Sequence, residues 1–575
     1  MSDKKRGFLS LSDAADMLKK AFADQSKESE SSAPEPRPAA TNAAKCEANG
    51  FADIEQAMRR KGKTEERNRK KQRAAQNNGQ AKAKGKKKRG KAGGVKTILK
   101  FPGAKALLRK LQEEEQRAKE GGLAPAPEPA LDPTEAHRKA FKRIREIVGS
   151  RSPAIEPRPK AVSVQTAEQI EARIARGAAN FAAHPEPDLD NGFIVGFDFG
   201  TSSLKLAVRQ PYKVGPSIAF LSVPDELQSG NHSHLWQTAL WYGPESEAFS
   251  LFPQPGMTVL EGFKTGIIGG HGGARVYDDV PVTRAEAAIA YIALQMAHFL
   301  GWYAETRPLA SGGERFLAIN IGIPVAAHDD EKAFKSFRHI VSAARELVPY
   351  AERLTLTDVR KTHQSSSGSL PAGWELIPEL TAAIAGYTSE PTSLDGAHIL
   401  IDVGASTLDI VAFNHVRRER NAVISAGVEL LGAAALEAAL ADDITEADFR
   451  WACDRQFHSV FGDACRPSRG SNGFSPALRS REVQLLTTGG GCASALHNAF
   501  IEDKNNPKVL GSLPIMRPEP PASSVTGVSD PSRLLLAYGL TRDIPELLEL
   551  KLPSQVPDIQ PRQGPSQPYI SKDDV

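Results

Sequence analysis

Apolar and polar positions are unevenly patterned along this chain. From Gly192 to about Leu548, short apolar runs and helical periodicities follow one another densely. Before Gly192 there are only isolated amphipathic stretches, and after Leu548 the prolines Pro553, Pro557, Pro561, Pro565 and Pro568 break any pattern. Two segments in the dense region predict β-hairpins. One is Phe193-Ile-Val-Gly-Phe-Asp198-Phe-Gly200-Thr201-Ser202-Ser203-Leu-Lys205-Leu-Ala-Val208. The other is Ile399-Leu-Ile-Asp402-Val-Gly404-Ala405-Ser406-Thr407-Leu-Asp409-Ile-Val-Ala-Phe413. Each joins a β-branched and aromatic run to a second apolar run through an Asp-x-Gly-x-Ser/Thr turn. Thr283-Arg-Ala-Glu286 caps an amphipathic helix that runs to about Leu300.

The upstream stretches have helical spacing over 8–22, 51–72, 103–120, 134–148 and 166–182, separated by linkers such as 124–130. The helix at 8–22, followed by a polar stretch, has no obvious core to join and reads as a docking peptide for a protein partner. Net charge is +4, yet residues 1–191 carry 41 basic and 26 acidic side chains. The excess peaks over 59–100, where 18 Lys and Arg meet only Glu65 and Glu66. This segment has no apolar face to bury and reads as disordered. Two readings stand for it: a solubilising linker, or an arm that binds nucleic acid or another polyanion by counterion release. Aromatic residues are scarce there, which argues against base stacking.

No apolar run approaches 18 residues, and the basic N-terminus is not followed by a hydrophobic segment. A soluble, cytosolic protein with no membrane contact is expected. Cys453, His458 and Cys465 match no common zinc spacing. Gly266–Gly273 reads as a flexible surface loop and His363–Ser369 as a linker.

The hairpin tips carry the candidate chemistry. Gly200 and Gly404 let a ligand approach the backbone, while Thr201, Ser202 and Thr407 place hydroxyls beside free N–H groups that suit phosphate oxygens. Asp198 and Asp402 end their strands where a hydrated Mg²⁺ takes few carboxylates. One such hairpin can be an ordinary buried turn; the ordered pair suggests a nucleotide clamped between two similar halves.

The pair resembles the two phosphate loops of the actin, sugar-kinase and heat shock protein 70 ATPase superfamily. Further segments are similar, in order, to the heat shock protein 70 nucleotide-binding domain. They are Pro216–Phe220, Gly262-Phe-Lys264-Thr-Gly-Ile267, the strand Phe316–Pro324 before the helix Glu331–Leu347, and Ile377-Pro-Glu379–Tyr387. Gly427–Gly432, Leu485-Leu-Thr-Thr-Gly489-Gly490-Gly491 and Asp530–Gly539 complete the set. The resemblance implies an α/β, two-lobed actin-like ATPase with a duplicated ribonuclease H-like fold over 192–548. Lobe I would span about 192–388 and lobe II about 389–548, after a basic N-terminal region 1–191 and before a disordered tail 549–575. It implies ATP or ADP with Mg²⁺ as ligands, and Mg-dependent hydrolysis. Asp198 and Asp402 would orient the metal's water shell. Gly200, Thr201, Ser202, Gly404 and Thr407 would hold the β- and γ-phosphates, and Gly489, Gly490 and Gly491 the adenosine side.

By the same resemblance, Lys264 would act on the transferring phosphoryl group, the alternative being a solvated loop lysine. Glu379 and Asp409 would orient water or a metal ligand. The second tip departs from the family at Ala405 and Ser406, and the stretch from Gly432 to Gly489 is short. A nucleotide-dependent switch or chaperone-like factor without a client-peptide domain is expected. An actin-like filament or segregation protein, a carbohydrate kinase and a non-hydrolysing scaffold are the alternatives.

Overall fold

The computed structural model describes residues 133–150, 161–211, 217–309, 315–324, 331–417, 421–466, 474, 477, 482–506, 509–511 and 513–542. The chain divides into units Met1–Pro127 and Glu128–Val575, and all described residues belong to the second. The helices expected at 8–22, 51–72 and 103–120, the basic segment 59–100 and the tail 549–575 lie outside the described residues.

The described residues form a mixed α/β body. Helices α1 (Pro133–Ser150) and α2 (Val164–Ala183) come first. Strands β1 (Phe193–Phe199), β2 (Ser203–Arg209), β3 (Ile218–Phe220), β4 (Trp236–Gln237), β5 (Ala239–Tyr242), β6 (Phe249–Ser250) and β7 (Thr258–Glu261) follow. Next are α3 (Phe263–Ile268), α4 (Arg284–Thr306), β8 (Phe316–Ile323), α5 (Glu331–Leu347), α6 (Leu356–Ser365), β9 (Trp374–Pro378) and α7 (Glu379–Thr388). Then come β10 (Gly396–Val403), β11 (Leu408–His415), β12 (Ala422–Glu429), α8 (Ala433–Leu440) and α9 (Glu446–Ala464). The remaining elements are β13 (Val483–Thr488), α10 (Ala495–Lys504) and α11 (Leu535–Leu540).

Sheet I has the order β3-β2-β1-β8-β9 with β4 beside β2, and sheet II the order β12-β11-β10-β13. In both, an antiparallel three-strand meander is extended by a strand parallel to its first member. A small antiparallel sheet β6-β5-β7 stands apart. Both expected hairpins form, and their registers pair Asp198 with Lys205 and Asp402 with Asp409. β1 is buried along its whole length because it lies between β2 and β8, which explains its unbroken apolar run.

Helix packing sets how the sheets are held. Thr283 and Glu286 form a reciprocal capping box at the start of α4. α4 is apolar on nearly all sides because neighbours surround it. Its closest neighbour is α2, met where a Cβ on Gly177 would lie 1.8 Å from the Ala297 carbonyl and one on Gly301 1.8 Å from that of Arg173. α7 and α11 cross in the same manner at Gly539, where a Cβ would stand 1.8 Å from the Ala382 carbonyl. α7 packs on the sheet II residues Leu400, Val411 and Phe413, while α11 lies against β1 and β2. The crossed pair therefore joins the two sheets behind the hairpin tips.

Several boundaries differ from expectation. α1 and α2 lie upstream of Gly192 yet belong to the folded body. Ile144, Ile147 and Val148 of α1 enter the sheet II core, and Ile170, Ile174 and Phe181 of α2 enter the sheet I core. The folded unit thus begins within the region assigned to 1–191. Gly266–Ile268 are the end of α3 rather than loop, and His363–Ser365 are the last turn of α6. Among the described residues, no helix is long and apolar enough to cross a membrane.

The core also predicts a pH response. His298 of α4 is fully buried against Trp236, and neither ring nitrogen has a hydrogen-bond partner. Burial, with Arg173 nearby, pushes its imidazole down to about 3. A histidine whose folded pKa lies below its unfolded value keeps its full contribution above about pH 6.5 and loses it as the pH falls toward 3. Urea unfolding of wild type and His298→Leu at pH 6 and pH 5 should differ in slope by about one proton, or ~1.4 kcal/mol per pH unit. Equal slopes would mean that His298 is not buried neutral.

Candidate functional site

The two hairpin tips face one cavity of about 310 Å³. It is lined by Asp198, Gly200, Thr201 and Ser202 from the first tip, and by Asp402, Gly404, Thr407 and Asp409 from the second. Lys264 of α3, Glu379 at the start of α7 and Gly489, Gly490 and Gly491 after β13 also line it. Every residue assigned to the site from sequence is thus brought to the same cavity. Its volume suits a small ligand rather than a polypeptide.

Local hydrogen bonds fix the tips. The Gly200 carbonyl accepts from the Thr238 hydroxyl at 2.8 Å, and the Thr238 N–H donates to the Ser202 carbonyl at 3.1 Å. At the second tip, the first N–H groups of α8 donate to the carbonyls of Gly404 and Ala405. That satisfies otherwise unpaired helix donors and holds the tip against α8. Ser406 turns away from the cavity, and its hydroxyl bonds Thr265 of α3 at 2.7 Å. Gly489 has φ +86°, and a Cβ there would lie 2.2 Å from an Asp402 carboxylate oxygen, so only glycine fits.

Lys264 is 2% exposed, which rules out the solvated loop lysine. Its Nζ donates to Glu379 Oε1 at 2.7 Å and to the Phe199 carbonyl, and lies over the Phe199 ring. Glu379 is itself nearly buried, so the pair is held in a low-dielectric setting where each charge needs the other.

Two acidic groups of the cavity are held above their ordinary range, chiefly by burial. Burial pushes the Asp402 carboxyl up to about 7; Lys205 opposes the shift, while Glu379 and Asp198 add to it. Asp409 is pushed well above the usual carboxylate range by burial, then by Asp402 and Glu379. One Asp409 oxygen and the Ser203 hydroxyl are buried behind the cavity wall without a hydrogen-bond partner. The lining holds five carboxylates (Asp198, Glu379, Asp402, Asp409, Glu437) against three cations (Lys205, Lys264, Arg533). The surplus of carboxylate fits a bound cation. Among the described residues, no three His, Cys, Asp or Glu side chains are grouped to hold a metal directly. Asp198 and Asp402 fit a hydrated Mg²⁺, which keeps most of its waters.

Sequence reasoning missed Lys205, which pairs with Asp198 at 3.0 Å. The hairpin register carried that signal, since the two residues are directly opposed. It also missed Arg533, whose guanidinium lies against Gly490, and Ser203, Thr488 and Glu437. No protein-family model matches the chain, and no curated protein sequence matches it.

Proposed function

We propose that the cavity binds ATP or ADP with Mg²⁺, and that the chain is an actin-like ATPase of the heat shock protein 70 type working as a nucleotide-dependent switch. The observation that carries this reading is the convergence on one cavity of two Asp-x-Gly hairpin tips from two sheets of like topology. A bound, hydrated Mg²⁺ would offset the charge of the β- and γ-phosphates. Asp198 and Asp402 would accept hydrogen bonds from its waters. Thr201, Ser202, Gly404 and Thr407 would cradle phosphate oxygens, and Gly489–Gly491 with Arg533 would meet the nucleoside side. Lys264 and Lys205 supply positive charge where a transferring phosphoryl group needs it, and Glu379 and Asp409 are the acceptors available to orient water.

Two such lobes closing on a nucleotide convert its state into a change of angle that a partner can read. On this reading the N-terminal region supplies partner contacts, with 8–22 for a protein and 59–100 for nucleic acid or another polyanion. One observation favours a non-hydrolysing scaffold instead: two of the three Lys264 donors are already taken by Glu379 and the Phe199 carbonyl.

Calorimetry of the full chain with Mg-ATP and Mg-ADP, alongside phosphate release, decides between them. Binding with slow turnover supports the switch, binding without turnover supports the scaffold, and no binding at millimolar nucleotide sinks both forms of the reading. Gly404→Ala is the sharpest control. A Cβ at Gly404 meets nothing closer than 3.4 Å within the protein, so the fold should tolerate it. The added methyl crowds a ligand instead, and Mg-ATP affinity should fall by about 10- to 100-fold, the equivalent of overpacking by ~1–3 kcal/mol. Unchanged affinity would place the phosphates elsewhere.

A further inference from the structure

We propose that α1 is a strap tying the sheet II half to the short helix that carries Lys264. Along its length α1 is anchored on the sheet II half. Ile144, Ile147 and Val148 are buried in that core, and the guanidinium groups of Arg145 and Arg455 both lie over the Phe141 ring. His137 bonds Asp448 at 2.7 Å, Arg143 meets Asp442 at 3.2 Å, and Arg145 meets Glu429 at 2.5 Å.

The C-terminal end of α1 does something different. Its last carbonyls, on Gly149 and Ser150, accept from the guanidinium of Arg284 at 3.2 and 2.6 Å. Arg284 is the first residue of α4, in the sheet I half, and is 5% exposed. A cation at a helix C-terminus satisfies unpaired carbonyls and opposes the helix dipole. The same side chain lies across α3, where a Cβ on Gly266 would fall 2.2 Å from Arg284 Cδ. Backbone meets backbone beside it: a Cβ on Gly269, which caps α3, would lie 2.9 Å from the Gly149 Cα.

α3 is therefore held on three sides. Lys264 fastens it to Phe199 and Glu379, Thr265 bonds Ser406 of the second hairpin tip, and Arg284 with Gly149 clamps its far end to α1. α2, next in the chain, is packed in the sheet I core. α1 is thus anchored on the sheet II half and α2 on the sheet I half. Parting the halves must break the Arg284 contacts or lift α1 from its bed. The strap gives a displacement of α1 a mechanical route to Lys264. Its effect on nucleotide rests on the reading of the cavity given above; the strap itself does not.

Native-state hydrogen exchange of the full chain in sub-denaturing urea, without nucleotide, tests it. Amides of 144–150 and of 263–268 should open as one unit and merge on one urea dependence. Arg284→Ala should speed exchange in both segments at least tenfold while leaving β10 unchanged. The pair Ile144→Ala and Ile147→Ala, which loosens α1 only on the sheet II half, should also speed 263–268. Separate opening in wild type, or faster exchange of 144–150 with 263–268 unmoved, would overturn the strap. The wild-type measurement stands even if a variant fails to fold. Repeating it with Mg-ATP separates the two readings: coupled opening with no response to Mg-ATP keeps the strap and sinks the nucleotide site.

Discussion

Replacing Asp402 by Asn is expected to make the ligand-free protein more stable and to abolish its response to Mg-ATP. Asp402 lies near the end of β10 directly opposite Asp409, and burial, with Glu379 and Asp198 adding to it, raises its pKa to about 7 despite Lys205. A carboxyl whose folded pKa is raised is easier to bury protonated, so its ionisation costs stability as pH climbs from about 4 through 7. Asparagine keeps the shape and cannot ionise. At pH 8 the variant should gain on the order of 1–3 kcal/mol in urea unfolding, the scale of relieving an uncompensated buried charge. The wild type should recover ground with ligand, since saturation at about 1,000 times Kd adds ~4.1 kcal/mol to a binding-competent protein. Without the second anionic partner for a hydrated Mg²⁺, the variant should gain nothing. The order of midpoints would then invert between ligand-free and Mg-ATP conditions. A variant less stable than wild type without ligand would mean that Asp402 is a structural acceptor. An undiminished Mg-ATP shift would remove it from the metal site.

The site was legible where chemistry sits inside a local pattern. The hairpins could be read because apolar runs flank a turn that needs glycine, and their tips meet because two equivalent sheets bring equivalent turns together. Lys205 was within reach: counting back from the tip places it opposite Asp198. Arg533 was not, because it reaches Gly490 from a segment joined to the cavity only by tertiary packing. Helices α1 and α2 show the same limit at the level of the fold. Their apolar faces, Ile144-Ile147-Val148 and Ile170-Ile174-Phe181, follow helical spacing and were read as helices. An apolar face states that something must cover it, not what does, and the basic composition around these helices pointed away from a core. The strap at Arg284 is further out of reach, since the partners of its guanidinium are backbone carbonyls and glycines, which carry no side-chain signal.

Lys264→Met is expected to lower phosphate release by about 100- to 1,000-fold if the cavity turns over nucleotide, the usual cost of removing one donor aimed at developing charge. It should also destabilise the protein by ~3–5 kcal/mol, because Glu379 would be left buried without its partner. The two effects have different causes and can be separated. In the double variant Lys264→Met with Glu379→Gln, no unpaired charge remains, and a neutral pair of similar shape fills the same space. Stability should return to within about 1 kcal/mol of wild type, as replacement of a whole buried pair commonly does. Turnover should not return, since the cation that faces the phosphates is still missing, while Mg-ATP affinity should stay within a few-fold because the hairpin tips are untouched. Recovery of turnover together with stability would show that Lys264 serves the fold alone. Its contacts to Phe199 and Glu379 would then be a brace between β1 and α7, and the chemistry would have to rest on Lys205 and Arg533.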